Sequence, residues 1–351
     1  MRKVILRVIG LVVVVAGVIL LALYVRPPGG GDGGGPALRF ALVPKSIGHP
    51  YWEGVREGMN EAARRLGVEA VFQGPPEASI EEQLKCIESL IAQGCDGIGI
   101  SPNDPEAVKD VIRRAMAKGI AVVTFDSDSP ESERLLYIGT DNREGGRVGA
   151  KALIQILGAK KADETAERLL VQMIGGKPGA WNLKERMDGF AEGIQGTNVA
   201  LAGVQYNDES PDRALQVAEV VLSAHPDLRG FFGSNAFAGP GAAKAIKDAV
   251  QRGRLTKGQV RVVAFDTTED ILDFMDEGYI DCSLAQNTRL MGRLSIEKLV
   301  EFARQHRRAK AFQRPARGQD VMDTGVTVVW PKDVPAYRAK PRPAGKAAAA
   351  E

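Results

Sequence analysis

Two aspartates stand at matching places in this 351-residue chain. Ala121–Phe125 is a short apolar run that stops at Asp126-Ser127-Asp128, and Val260–Phe265 is another that stops at Asp266. Runs of four to eight β-branched and aromatic residues, closed by polar breakers, read as buried parallel strands. In open α/β sheets a ligand sits just beyond the carboxyl ends of such strands. The repeated Phe-Asp ending therefore predicts two lobes, each offering a carboxylate to one cleft. Ionised carboxylates accept hydrogen bonds and donate none. Such a pair suits the binding of hydroxyl-bearing ligands, or, if it acts on water, glycoside hydrolysis.

The elements that must hold these acids are legible from Leu38 onward. RFALVP reads as a strand. YWEGVREGMNEAARRLG (51–67) is an amphipathic helix with Val55, Met59, Ala62, Ala63 and Leu66 on one face and Gly67 as its stop. VEAVFQ is a strand, and a helix capped by Ser79 and closed by Gly94 follows. CDGIGIS is a strand, PEAVKDVIRRAMAKG a helix, and IAVVTFD a strand again. After Tyr137-Ile138-Gly139-Thr140 the alternation restarts and runs through the second Phe-Asp strand, then a helix, a strand (YIDCSLAQ) and a long helix (RLMGRLSIEKLVEFARQ). Strands separated by helices of this length mean βαβ units and parallel sheets. The expected fold class is α/β, with two similar lobes, each a parallel sheet sandwiched by helices.

Composition bounds the function. With 46 Lys and Arg against 44 Asp and Glu the net charge is +2, and the bases are spread among acids, so no nucleic-acid partner is expected. Cys86, Cys95 and Cys282 sit in apolar settings and read as small buried hydrophobes. No CxxC occurs, and His49, His225 and His306 are scattered, so neither metal nor cofactor is expected. No GxGxxG, P-loop or GxSxG is present. Near the start, Arg2, Lys3 and Arg7 precede Val8–Val25, which carries no charge over a length just sufficient to span a bilayer as a helix. No small-x-small cleavage site follows. We expect an uncleaved signal anchor over residues 1–26, with the basic flank inside and the body exported, tethered by a flexible Gly/Pro linker over 27–37; the alternative is a cleaved signal and a secreted body. A helix-turn-helix repressor would need those same positions for its DNA-binding domain. The Pro/Ala/Lys-rich tail, 332–351, is expected to be disordered.

From Leu38 to about Trp330 the chain resembles the type I periplasmic sugar-binding proteins, the ribose-binding group whose fold recurs in the regulatory domain of lac-type repressors. ALVPKSIGHPYWEGVREGMNEAARRLG, SPNDPEAV and TFDSDSP are similar to rhamnose- and autoinducer-2-type receptors. YIGTDNREGGRVGA, KERMDGF, SAHPDL and AFD are similar to ribose-type receptors. The combination and order of these stretches carry the resemblance, not any one of them. It implies two lobes joined by three crossing strands, with residues 38–140 and 287–317 in the first and 141–286 and 318–331 in the second. It also implies a set of cleft residues: Lys45, His49, Tyr51 and Trp52 after the first strand, Asp126 and Ser127 after the fourth, Arg186 on the KERMDGF helix, and Glu209, Asn235, Phe265, Asp266 and Gln286 from the second lobe and hinge. The ribose-type pattern has an arginine at Ser127, an aromatic at Glu209 and an Asn-Asp pair at Asn235-Ala236.

These residue types suit a pyranose. Tyr51 and Trp52 can lie on its apolar face. Asp126 and Asp266 accept from hydroxyls, Arg186 donates, and Asn235 and Gln286 do both. The resemblance implies binding without turnover, hence no enzyme. It implies a monomer in the periplasm that delivers a monosaccharide or similar ligand to an inner-membrane ABC permease. The alternative is a sensor that presents bound sugar to a membrane kinase or chemoreceptor.

Overall fold

The computed structural model describes residues 37–162, 166–316 and 318–339. The expected anchor and residues 27–36 of the expected linker lie outside them. Among the described residues no helix is long and apolar enough to cross a membrane.

In chain order, the first lobe begins with β1 (Arg39–Val43), α1 (Trp52–Leu66), β2 (Glu69–Phe72), α2 (Ile80–Ala92), β3 (Gly97–Ile100), α3 (Lys109–Ala117), β4 (Ala121–Phe125) and β5 (Tyr137–Gly139). The second holds α4 (Asn142–Leu157), β6 (Leu169–Gly175), α5 (Trp181–Gly193), β7 (Val199–Tyr206), α6 (Pro211–Ala224), β8 (Leu228–Gly233), α7 (Ala238–Gln251), β9 (Arg261–Phe265), α8 (Glu269–Asp276) and β10 (Cys282–Gln286). The chain then returns as α9 (Thr288–Ala309) and β11 (Val321–Asp323), and crosses once more to β12 (Val326–Val329) and α10 (Val334–Arg338).

Two six-stranded sheets result, ordered β2-β1-β3-β4-β5-β11 and β7-β6-β8-β9-β10-β12. The same order appears twice, so β4 and β9 occupy equivalent positions. The first sheet is parallel throughout, with β11 beside β5. In the second, β12 runs antiparallel to β10, which departs from the expected all-parallel sheet. β11 runs parallel to β5, toward the cleft, and only Thr324 and Gly325 separate it from β12, so the chain enters the second sheet from the cleft side, against the direction of β10. Residues 318–323, expected in the second lobe, lie with the first: Tyr137 N–H donates to the Asp320 carbonyl (2.9 Å) and Arg134 pairs with the Asp320 carboxylate (2.9 Å).

The expected helix signals have physical counterparts. Gly67 closes α1 at φ 64°, a left-handed conformation that a Cβ disfavours. Ser79 accepts from the Glu82 N–H at the start of α2. The expected disorder of the tail is corrected over its first residues. Pro331–Asp333 forms a 3₁₀ turn, Val334 is buried, and Arg338 on α10 pairs with Glu269, Asp273 and Asp276 of α8. Residues 340–351 lie outside the described residues. Cys95 and Cys282 are buried and Cys86 is half-buried, all three as free thiols.

Glycines bring helices together backbone to backbone in both lobes. A Cβ on Gly58 of α1 would come within 1.9 Å of the Arg289 carbonyl on α9, and one on Gly292 within 1.9 Å of the Val55 carbonyl. In the second lobe, a Cβ on Gly146 of α4 would lie 2.1 Å from the Arg186 carbonyl, and one on Gly189 of α5 1.9 Å from the Arg143 carbonyl. The α4–α5 contact thus fixes the turn that carries Arg186. The three crossovers run side by side. Thr324 N–H donates to the Gly139 carbonyl (2.9 Å), Asp141 N–H to the Asp323 carboxylate (2.9 Å), and the Thr140 hydroxyl to Gln286 Oε1 (3.0 Å).

Candidate functional site between the lobes

The carboxyl ends of both sheets face one cleft of about 810 Å³. That volume lies within the usual range for small-molecule sites, roughly 300–1,000 Å³. Of the expected site residues, all but Ser127 and Phe265 line it.

The two aspartates are built alike. Asp126 follows β4 at φ 59° and Asp266 follows β9 at φ 76°. Asp tolerates this left-handed region better than most residues, at a cost of order 1 kcal/mol. Each keeps its N–H in the sheet, Asp126 to the Ile138 carbonyl (3.2 Å) and Asp266 to the Leu284 carbonyl (2.8 Å). A hydroxyl then pins each backbone carbonyl: Tyr137 donates to Asp126 O (3.0 Å) and Ser283 to Asp266 O (2.5 Å). The side chains turn into the cleft. Asp126 Oδ1 accepts from the Tyr51 hydroxyl (2.6 Å) and Oδ2 from Ser101 (2.8 Å), so it does not bond its own turn. Asp266 Oδ1 accepts from Gln286 Nε2 (2.8 Å), and the N-cap position of the helix after it falls at Thr268, whose side chain makes no capping bond. Burial pushes the Asp266 carboxyl up to about 6, against the pull of Arg186 and Gln286.

Arg186, 2% exposed, is the largest fully buried side chain among the described residues. Its Nε donates to Asn142 Oδ1 (2.8 Å), Nη1 donates to the Ser234 carbonyl (2.9 Å), and its guanidinium lies 3.8 Å over the Phe265 ring. Phe265 therefore supports Arg186 from behind and does not line the cleft. Nη2 is buried with no hydrogen-bond partner among the described residues. A buried unpaired donor costs about 1–3 kcal/mol.

Lys45 reaches across from the first lobe and donates to Asn182 Oδ1 of α5 (2.9 Å). Burial lowers its pKa. Ser127 sits behind this contact, with its hydroxyl 3.4 Å from the same Asn182 oxygen. His49 does two things. Its Nδ1 accepts from the Tyr51 N–H (3.0 Å) at the start of α1, and its ring meets Phe237 of the second lobe edge-on at 4.8 Å. Burial lowers its pKa, which favours neutral imidazole. Trp52 is buried, packs edge-on against Tyr51 and reaches Phe125 in the core of the first lobe. Across the cleft, Asn235 and Asn207 exchange amide hydrogen bonds (3.0 and 3.2 Å), and Asn235 Nδ2 also donates to Glu209 Oε2 (3.0 Å). Glu209 holds φ 59°.

Sequence reasoning missed Asn182, Asn103, Lys177 and Phe237. Asn182 precedes Arg186 by four residues on α5, a spacing that puts both on one helix face, so it could have been found. Lys177 Nζ donates to the Ala78 carbonyl across the mouth (2.8 Å) and joins the two lobes there. Asp128 is buried but faces away: it accepts from Thr124 (2.5 Å) and pairs with Arg134 (2.7 Å). Trp181 meets Tyr137 edge-on at 5.6 Å. Among the described residues no His, Cys, Asp and Glu group could hold a metal ion.

A model of the periplasmic binding protein domain matches residues 40–306. The chain belongs to that family. Its sheets, crossovers and interlobe cleft are those of the type I sugar-binding branch. The ribose import binding protein of Bacillus subtilis is 26% identical over 276 residues, 79% of this chain and 85% of that one. The D-ribose/D-allose-binding protein of Pseudomonas aeruginosa is 28% identical over 303 residues, 83% of this chain and 88% of that one. Among solved structures, an ABC transporter solute-binding protein from Burkholderia graminis in complex with D-arabinose shares 33% identity at a TM-score of 0.76, over 86% of this chain and 97% of that one.

Proposed function

We propose that this chain is an extracytoplasmic substrate-binding protein that clamps a monosaccharide or related polyhydroxylated ligand between its lobes and hands it to an ABC permease. One observation carries this reading. Donors and acceptors from both lobes converge on a single cleft with bonding capacity left over: Arg186 Nη2 has no hydrogen-bond partner among the described residues, and Asp266 is bonded at only one oxygen. A ring of hydroxyls, each able to donate and accept, satisfies both kinds of group. Bonds to charged groups are about twice as strong as neutral ones, which offsets the loss of sugar hydration. Tyr51, Trp52, Asp126, Arg186, Asn235, Asp266 and Gln286 are assigned direct contact, with Lys45, His49 and Glu209 as further contacts. Ser127 and Phe265 support them. Binding is without turnover, as the relatives' names as binding proteins support. The import named for the ribose relative supports delivery over sensing.

The apolar segment at 8–25 remains our candidate for an inner-membrane tether. Calorimetry against a panel of monosaccharides and polyols tests the main reading. Saturable binding that Asp126→Ala abolishes supports it. The absence of binding to any member, or binding that Asp126→Ala leaves unchanged, sinks it.

A further inference from the structure

Five charged side chains form the inner wall of the cleft. Lys45 and Arg186 are cationic, and Asp126, Glu209 and Asp266 are anionic. None of the five is ion-paired among the described residues; their hydrogen-bond partners there are amides, hydroxyls and backbone carbonyls. Three acids against two bases leave one negative charge uncompensated. The mouth does not restore the balance, since Glu77 and Asp208 outnumber Lys177 there.

Glu209 is the acid that tips the count, and it is seated deliberately. Its backbone is left-handed, and Asn235 holds Oε2. Oε1 lies where a side chain on Gly176 would be: a Cβ there would come within 2.1 Å of it. The glycine leaves room for the carboxylate beside the end of β6, with Oε1 free of any hydrogen bond. Across the cavity Asp126 and Glu209 both push the Asp266 pKa upward, so the three acids share one field.

An uncompensated charge enclosed in a cleft is unfavourable unless a counter-charge arrives with the ligand. A neutral sugar brings none. From this charge count and the Glu209 cradle we infer that the ligand is a polyhydroxylated amine, an amino sugar or aminopolyol in its protonated form, whose ammonium group bonds Glu209. The ligand's hydroxyls meet Arg186, Asp126 and Asp266, so this inference rests on the reading of the cleft given above and narrows it. An ammonium donates three hydrogen bonds and accepts none, which matches a carboxylate with one open oxygen.

The test is calorimetry on the full-length chain in mild detergent, with ligands in matched sets. Each set holds a neutral sugar (glucose, galactose or mannose), its 2-amino analogue and the N-acetyl form of that amine. Glucitol and its 1-amino analogue form a further pair. At least one amine is expected to bind about tenfold or more tightly than both its neutral parent and its N-acetyl form. Glu209→Gln is expected to weaken the amine more than its neutral parent, so that the ratio of their affinities falls to about one, with its melting temperature checked to confirm folding. Neutral parents that bind as well as every amine overturn the inference and leave the sugar-binding reading standing. An N-acetyl form that binds as well as the free amine, or a preference that survives Glu209→Gln, overturns the assigned role of charge. If no member of any set binds, both readings fall.

Discussion

Asp266 is an acid whose burial works against the fold, and its replacement by Asn makes that measurable. Its carboxyl is raised from 3.8 to about 6, with burial the largest cause and with the attraction of Arg186 already included. At about 1.4 kcal/mol per pH unit, the ionised side chain costs the ligand-free fold about 3 kcal/mol at neutral pH. Asn keeps an acceptor for Gln286 Nε2 and tolerates the φ of 76°. Asp266→Asn should therefore stabilise the empty protein at pH 8 and weaken ligand binding. A gain of this size corresponds to a melting temperature higher by roughly 5–10 °C. The sign of the pH dependence follows from the direction of the shift. A raised carboxyl pKa means the folded state binds the proton more tightly than the unfolded state. Wild-type stability is then unpenalised below about pH 4, falls as pH rises through about 6, and carries the full cost above it. The variant's advantage should be absent near pH 4 and complete by pH 7. Circular dichroism melts of both proteins from pH 4 to 8 measure it. A variant no more stable than wild type at pH 8, or an advantage equal at pH 4 and pH 8, would refute the argument.

Three further outcomes are expected. Arg186→Lys removes the fork that meets Asn142 and the Ser234 carbonyl, and should weaken ligand binding by about 100-fold, read by calorimetry on a variant whose melt stays cooperative. Asp128→Ala leaves Arg134 enclosed with Asp320 as its remaining acid, and should cost about 3–5 kcal/mol in urea unfolding; a loss below about 1 kcal/mol would show that this pair is dispensable. Gly146→Ala places a Cβ 2.1 Å from the Arg186 carbonyl, so α4 and α5 must separate; stability should fall by about 1–3 kcal/mol and affinity with it, and unchanged affinity would detach that helix contact from the placement of Arg186.

Much of this architecture is legible in the chain because each lobe repeats one simple rule. An apolar run buried on both faces cannot carry a carboxylate until it ends, so the Phe-Asp endings mark the cleft side of each sheet. Helix stops such as Gly67 are equally visible, since few other residues take that backbone conformation. The last two strands were harder. Val321–Asp323 and Val326–Val329 are three and four residues long, and nothing in so short a run says which sheet each will join. The placement of β11 depends on Tyr137 and Arg134, far away in sequence. Phe237 and Asn103 sit in loops whose aim is set by the packed elements beneath them, so their approach to the cleft has no local signature. The support that Phe265 gives Arg186 is also tertiary: sequence marks the end of a strand but not what stacks on it.

The threefold passage of the backbone between lobes has a consequence for how this molecule is made. The opening half of the chain supplies five strands of its sheet and must wait for the sixth until residue 323 has been synthesised. The helix that covers that sheet, Thr288–Ala309, also comes late. Contacts of such long sequence separation form slowly. A chain shortened before Thr288 would therefore lack parts of both lobes, and no single cut could release either one as a complete folding unit.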